Sequence, residues 1–375
     1  MRVAVLGGGN GAFITAADLA GRGHQVRIFE VPEFAKALDG VRERGGIELE
    51  VRGNLDLPAG FFPVEATADA ARAVEGAEAV LLVVPAFGQK RFAQLVAPYL
   101  KDGQVVMMSP GNFGGAIEFA RTLKESGCKG RPIIMESECM IYSGFKGGPS
   151  SAWVSGFKNG MKAAAFPAVD GERGIKVLKQ IYPLVQLADD VIETGLGNVN
   201  TVFHAPILVL NAGRVESDKD EFLFYWEGCS PSVGRVVEGV EAERLAIGRA
   251  LGTKLPPFLE VMLGWYGHQG AKGETLAKVM ATNPAYEWDT APRNLRHRFL
   301  MEDIPYGMVP MEELGRLVGV RTPLTTAVIE LACELLGEDL RVKARGLSYL
   351  GLAGLNKEQF MEVMKTGKGY WPAGR

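Results

Sequence analysis

Apolar residues are spaced in two different ways along this chain, and the change between them divides it. In the first half, short continuous runs of aliphatic and β-branched residues alternate with stretches whose apolar positions recur at helical intervals, as expected of a parallel sheet covered by helices on both faces. The runs are Arg2 to Leu6, Gln25 to Phe29, Ala79 to Val84, Gln104 to Met108, Ile133 to Met135 and Met161 to Phe166. Pro85 stops the third of them. Between them the spacing predicts helices from about Asn10, over Phe34 to Arg44, from an N-cap at Thr67 to about Val74, over Gln89 to Leu100, and from about Gly171 to Leu187. Ile47 to Leu57 alternates like a pair of short strands, and Val191 to Glu193 reads as the last piece of the sheet. Beyond Gly197 the pattern turns helical, over Asn200 to Val215, Ser232 to Leu251, Pro257 to Trp265, Met311 to Leu317 and Pro323 to Leu336. Glu and Arg fall on one face after Ser232, as on a solvated helix.

The first of these runs leads straight into glycine. Gly7, Gly9 and Ala12 keep the G-x-G-x-x-G/A spacing, and Phe13, Ile14, Ala17, Leu19 and Ala20 then follow at helical intervals. Gly7 lets the chain turn, Gly9 lets backbone N–H groups approach a pyrophosphate, and Ala12 lets the helix pack close to its strand. With Asn10 and Gly11, these residues open a helix whose N-terminus favours negative charge. The second strand ends in Glu30, placed to accept hydrogen bonds from an adenosine ribose and to repel a 2′-phosphate, so NAD is expected in preference to NADP. Strand, glycines, helix, second strand and acid come in the order a dinucleotide site requires. The expected fold is therefore an α/β N-terminal Rossmann domain with a doubly wound, mainly parallel sheet over residues 1–192. A mostly α-helical domain over 193–375 follows, joined near Asp190 to Gly197 and expected to close over the cofactor cleft. Pro85, Ala86 and Phe87 at the end of a central strand, and Asn112 in the small-residue loop Ser109 to Gly115, are expected at the edge of that cleft.

Composition narrows the class. A chain of 375 residues exceeds what one core normally serves. A formal net charge of −3 without a long basic run argues against a nucleic-acid or membrane-surface protein. The four cysteines, Cys128, Cys139, Cys229 and Cys333, lie far apart and suggest neither a disulfide framework nor a metal site. A cytoplasmic enzyme with reduced thiols is expected, with no signal peptide before a fingerprint that begins at residue 2 and no apolar run long enough to span a bilayer.

Hydride transfer to a C=O or C=N needs a proton donor, and histidine suits neutral pH. His24 falls in the turn after the first helix and His268 in a polar loop. His297 lies between Arg296 and Arg298, which should depress its pKa. His204 sits in Gly197-Asn198-Val199-Asn200-Thr201-Val202-Phe203-His204, where the chain leaves the sheet; it is either a satisfied core histidine or a catalytic one, and Asn200 can hydrogen-bond to a ligand. Arg298 to Gly307 is either a charged loop or a site in which an arginine clamps a carboxylate and an aspartate orients a histidine. Glu136 and Glu138, at a strand's carboxyl end, are on base rates solvated.

The start GGGNGAF, the block GNVNTVFHAPILVLNAGRVE around His204, SPSVGRVVEGVEAERLAIGRALG and RFLMEDIPYGMVPMEELGRLVGVRTP together resemble the opine dehydrogenases, the octopine and nopaline dehydrogenase family, over nearly the whole chain. Members reductively condense a 2-oxo acid with the amino group of an amino acid, using NADH or NADPH. The resemblance implies that His204 moves the proton, that Asp303 is its partner, that Arg298 binds the oxo acid carboxylate and that Glu136 contacts the amino substrate. Cys139 to Phe145 departs from octopine-type members. The alternatives are a hydroxy acid or polyol phosphate dehydrogenase of the ketopantoate reductase or glycerol-3-phosphate dehydrogenase plan, and a non-catalytic NAD-binding sensor. A homodimer is compatible with the long helices, as is a monomer.

Overall fold

The computed structural model describes residues 1–217 and 221–371, which cluster into two units. The first comprises Met1–Gly111, Gly115–Thr194 and the C-terminal stretch from Glu362, and the second Asn112–Gly114 and Gly195–Met361. Two departures from a single boundary stand out. The chain returns to the first unit at its end, where Lys124 Nζ donates to the Gly369 carbonyl at 3.1 Å and the Tyr370 ring meets Phe166 edge-on. It also lends the tripeptide 112–114 to the second unit. There the Phe113 N–H donates to Tyr306 O at 3.0 Å, and the Phe113 carbonyl accepts from the buried Arg345 Nε at 2.7 Å.

In the first unit the strands are β1 (Arg2–Leu6), β2 (Gln25–Phe29), β3 (Gly46–Val51), β4 (Gly60–Pro63), β5 (Glu65–Thr67), β6 (Ala79–Leu82), β7 (Val105–Met108), β8 (Ile133–Ser137), β9 (Tyr142–Gly148), β10 (Ser151–Phe157), β11 (Met161–Phe166) and β12 (Val185–Leu187). Eight of them form one sheet in the order β12-β11-β8-β7-β6-β1-β2-β5. It is parallel except between β8 and β11. From β1 the chain winds outward through β2 and returns on the other side at β6, so the strand order reverses beside β1, where open α/β sheets bind their ligands. The glycine turn after β1, Glu30 after β2 and Pro85 after β6 therefore share one edge. Val3 to Leu6 and Ala79 to Leu82 are buried on both faces, which is why these strands read as unbroken apolar runs.

A second sheet, β4-β3-β10-β9, lies against the first helix, Asn10–Gly21. Half of it, the β9–β10 hairpin, has no counterpart in the sequence reading, because its glycines and small residues carry little strand preference. Several boundaries also shift. Thr67 ends β5 and accepts from the Asp69 N–H at 3.0 Å, while Asp69 itself caps the helix Ala70–Val74. Phe34 to Arg44 divides into a 3₁₀ turn, Pro32–Leu38, and a helix, Asp39–Arg44. Val191 to Glu193 is helix, part of Val191–Gly197, because Asp190 Oδ1 accepts from the Ile192 N–H at 2.8 Å and starts a helical turn there.

The described part of the second unit is helical, with one isolated strand-like bridge, Leu223 to Thr290. Its longest helix, Pro231–Leu251, starts at Ser230, whose hydroxyl accepts from the Val233 N–H. Not all of its charges are solvated as the sequence suggested. Arg244 is buried, bonded through two nitrogens to Glu241 at 2.6 and 2.7 Å, and donates to the carbonyls of Leu196 and Pro256 at 2.8 Å each. Such an ion pair is tolerated inside because almost every donor is satisfied. No described helix is long and apolar enough to cross a membrane.

Candidate active site

The first unit supplies a dinucleotide cradle. Gly7 has a φ of +128°, and a Cβ there would stand 2.5 Å from the Val83 carbonyl oxygen, so glycine is required both by the backbone and by the approach of β6. At Gly9 no heavy atom lies within 4 Å of where a Cβ would be, which leaves that side of the turn open to a ligand. Gly9 caps the helix Asn10–Gly21 without a side chain, so the helix N-terminus has its backbone donors facing outward. Asn10 is exposed, Gly11 half-buried and Ala12 buried against the sheet. The residues present fit a dinucleotide pyrophosphate.

Glu30 is turned inward and only 8% exposed. Its carboxylate accepts the Val31 N–H at 2.8 Å and the Gly8 N–H, and burial raises its pKa. Pro85 and Phe87 are exposed at the start of the helix Ala86–Val96, and Ala86 is buried beneath them.

Glu136 and Glu138 are buried, not solvated. Glu136 Oε2 accepts the Ala116 N–H at 2.8 Å and Oε1 the Thr194 hydroxyl at 2.9 Å, and its side chain lies directly under Gly111. With 0% of its surface exposed, it holds chain segments and offers no open face to an amino substrate.

The second unit contains the histidine that the sequence put forward. His204 lies in the helix Asn200–Leu210 and is 4% exposed. Its Nδ1 is 2.6 Å from Asp303 Oδ2, and its Nε2 is 2.9 Å from the Tyr225 hydroxyl. Phe299 stacks on the imidazole with centroids 4.0 Å apart, and Phe203 packs on it at 4.3 Å. A carboxylate can only accept, so Asp303 fixes the neutral ring with its proton on Nδ1 and its lone pair on Nε2, where the Tyr225 O–H donates. Burial pushes Asp303 up to about 7, with Arg298 pulling the other way, and burial raises Tyr225 well above the ordinary phenol value. Tyr225 is therefore a neutral donor.

Arg298 opens the short helix Arg298–Met301, and its side chain is 52% exposed. Its Nε forms an ion pair with the buried Glu302 at 3.4 Å. Glu302 Oε1 accepts from Asn112 Nδ2 at 3.0 Å, and Asn112 Oδ1 accepts from Asn198 Nδ2. Asn198 Oδ1 in turn accepts the N–H of Asn200, which is itself half-exposed. Asn112, expected at the cofactor, has both ends of its amide engaged in this chain, and its φ of +54° is one that asparagine tolerates. Asp303 leads into a π-helical turn, Ile304–Met308, a rare element often found at functional positions. Thr201 packs so closely on Gly307 that a Cβ there would clash.

Among the other histidines, His297 is held near 4 by burial first and by Arg298 and His204 second; its Nδ1 accepts the Phe299 N–H, which needs an unprotonated nitrogen. His24 is half-buried near the N-terminal amine, and His268 is exposed. Tyr225 and Glu302 were not singled out from the sequence. Tyr225 lies in the aromatic run Phe222 to Trp226 and reads as core, and Glu302 stands beside the more conspicuous Asp303.

Residues 187–336 match the family model for the α-helical domain of NAD/NADP octopine/nopaline dehydrogenase, and residues 2–132 the N-terminus of NAD-dependent glycerol-3-phosphate dehydrogenase. An opine dehydrogenase from Arthrobacter sp. (strain 1C) is 36% identical over 94% of this chain and 95% of its own. Protein ocs from Agrobacterium tumefaciens (strain Ach5) is 26% identical over 97% of this chain and 99% of its own. A solved octopine dehydrogenase with NADH and L-arginine shares the fold, with a TM-score of 0.74 at 21% identity over 100% of both chains. A ketopantoate reductase from Ralstonia eutropha JMP134 shares it less fully, at a TM-score of 0.59 and 19% identity over 89% of this chain and 98% of its own.

Proposed function

The chain belongs to the opine dehydrogenase family, and we propose that His204, Asp303 and Arg298 carry its reductive condensation of a 2-oxo acid with the amino group of an amino acid. The observation that carries this assignment is the buried His204–Asp303 pair, five residues in sequence from a half-exposed arginine. In the condensation the amine nitrogen bonds to C2 of the oxo acid, its two protons leave with the carbonyl oxygen as water, and the resulting imine takes up hydride at carbon and one proton from solvent at nitrogen. Bound NADH supplies that hydride.

His204 Nε2, reached through the Tyr225 hydroxyl bonded to it, takes each proton the amine gives up and returns it to the departing oxygen, while Asp303 stabilises the imidazolium formed in between. The Tyr225 hydroxyl holds Nε2 in position. Arg298 binds the oxo acid carboxylate through a guanidinium edge oriented by Glu302, so that C2 is presented in one direction. Exclusion of water from the reacting groups protects the imine. Asn200 is assigned to the substrate side. Pro85, Ala86 and Phe87 are assigned to the cofactor, whereas Glu136 and Asn112 act by holding the chain. An NADH-dependent reaction and four free cysteines fit the cytoplasm.

The test mixes protein, NADH and pyruvate with and without a panel of amino acids. Oxidation of NADH that depends on an amine supports the assignment, and equal oxidation without one identifies a hydroxy acid dehydrogenase instead. In the same assay His204→Ala is expected to bind NADH normally and lose about 100-fold or more in turnover.

A further inference from the structure

Lys146 lies on β9, in the smaller sheet, which the proposed chemistry does not use. Its Nζ donates to the carbonyl oxygens of Gly8 and Ala37, each at 3.3 Å, and stands 3.7 Å from the centre of the Phe13 ring. Its backbone N–H donates to Asn10 Oδ1 at 3.1 Å. Gly8 belongs to the glycine turn, Asn10 and Phe13 to the helix that follows, and Ala37 to the 3₁₀ turn Pro32–Leu38 just beyond Glu30. One side chain from a distant hairpin thus ties together the two segments that a dinucleotide's pyrophosphate and ribose would touch.

The geometry of the peptide unit gives this tie a consequence. The C=O of Gly8 and the N–H of Gly9 share one planar trans peptide and point in opposite directions. A carbonyl held by Lys146 therefore aims the Gly9 N–H away from Lys146. Gly9 is exposed, with open space where a Cβ would stand. Gly8 is held at both ends, since its N–H is bound by Glu30, so the donors left for a ligand begin at Gly9. Without the ammonium group, the Gly8 carbonyl is released to rotate its partial negative charge toward the phosphates.

We propose that Lys146 is a positioning residue for the dinucleotide, holding the Gly8 carbonyl so that the Gly9 N–H faces the pyrophosphate. The inference rests on the fingerprint binding NADH and deepens that reading. It assigns to the β9–β10 hairpin the work of presetting the turn, which glycines alone leave free.

The experiment measures binding to the full chain without substrates, by titration calorimetry with NADH and ADP-ribose and by competition with adenosine, which has no phosphate. Lys146→Met is expected to weaken NADH and ADP-ribose together by about tenfold or more while leaving adenosine within about twofold, the scale of one charge-assisted hydrogen bond. Lys146→Arg is expected to restore most of the loss. At saturating NADH, the KM values for oxo acid and amine stay unchanged. Wild-type affinity for ADP-ribose in Lys146→Met overturns the inference, and so does a parallel loss of adenosine, which would place the effect at the ribose or in the fold. If Lys146→Met does not fold, Lys146→Gln carries the same comparison: a smaller loss confined to the phosphate-bearing ligands supports the inference, and an equal loss for all three overturns it. A wild-type protein that binds no NADH would bring down the cofactor reading as well, whereas unchanged affinity in the variants removes the inference alone.

Discussion

Replacing Asp303 by asparagine keeps nearly the same shape and removes one charge beside His204. In the wild type the carboxylate is 2.6 Å from Nδ1, with both side chains 5% exposed, so bulk water does not screen the interaction. A hydrogen bond to a charged group in such a place contributes about 1.5–3 kcal/mol, which at 1.4 kcal/mol per decade is about 10- to 150-fold in rate if all of it is felt when the imidazolium forms. A second loss adds to the first. An asparagine turned to donate its N–H₂ to Nδ1 drives the ring proton to Nε2, and the nitrogen that should act as base is then blocked. Turnover should therefore fall by at least about 100-fold, with the dissociation constant for NADH unchanged, in an assay of NADH oxidation at saturating oxo acid and amine. The pH profile gives an independent reading. Because burial places Asp303 near 7, the wild-type pair takes up a proton as pH falls through that value, so turnover should decline on the acid side. That limb should vanish in Asp303→Asn. Turnover within about threefold of wild type, with the acid limb intact, would refute the role of the pair.

Arg298→Ala should raise the KM for the oxo acid by about 10- to 100-fold and leave that for NADH nearly unchanged, with Arg298→Lys intermediate because charge survives and the planar fork does not. Glu302→Gln should raise the same KM by about two- to fivefold, since it loosens a half-exposed ion pair without removing the arginine. Glu138→Gln tests burial in the first unit. Desolvation raises the Glu138 carboxyl from 4.5 to about 7, so the folded protein keeps a proton that the unfolded chain loses. The stability this confers is complete below about pH 4.5 and is lost as pH rises to 7, a difference of about 3 kcal/mol. The glutamine variant should show a flatter dependence of its denaturation midpoint on pH, and an unchanged slope would exclude Glu138 as the source.

Legibility from sequence followed how local each signal was. The strand, glycine turn, helix and second strand that ends before Glu30 could be read because they are contiguous and each step has a fixed residue requirement. His204 and Asp303 were legible as a pair only through the family's sequence blocks, since ninety-nine residues separate them and neither spacing nor composition brings them together. Glu136 and Glu138 were misjudged by a base rate, because nothing near them in sequence announces the Ala116, Thr194 and Lys162 donors that make burial possible. The C-terminal return to the first unit was invisible for the same reason: it depends on Phe166 and Lys124 waiting far upstream.

Glu302 and Asp303 show why such a site resists reading one residue at a time. They are adjacent, both acidic and both buried, so sequence chemistry treats them as near equivalents. Successive side chains around a helical turn point about 100° apart, and at the entry to the π turn that difference sends them to different partners. Asp303 meets an imidazole and sets its tautomer; Glu302 meets a guanidinium and, through Asn112, Asn198 and the Asn200 N–H, ties it to the start of the His204 helix. The arginine proposed to hold the carboxylate and the histidine proposed to move the proton are thus braced against each other by two consecutive carboxylates. This arrangement predicts strong coupling: Asp303→Asn and Glu302→Gln combined should not multiply as independent effects, because each disturbs the backbone turn on which the other depends. A double-mutant cycle in kcat/KM for the oxo acid measures it. Strict multiplicativity would show that the two carboxylates work separately, and that their adjacency is an accident of sequence.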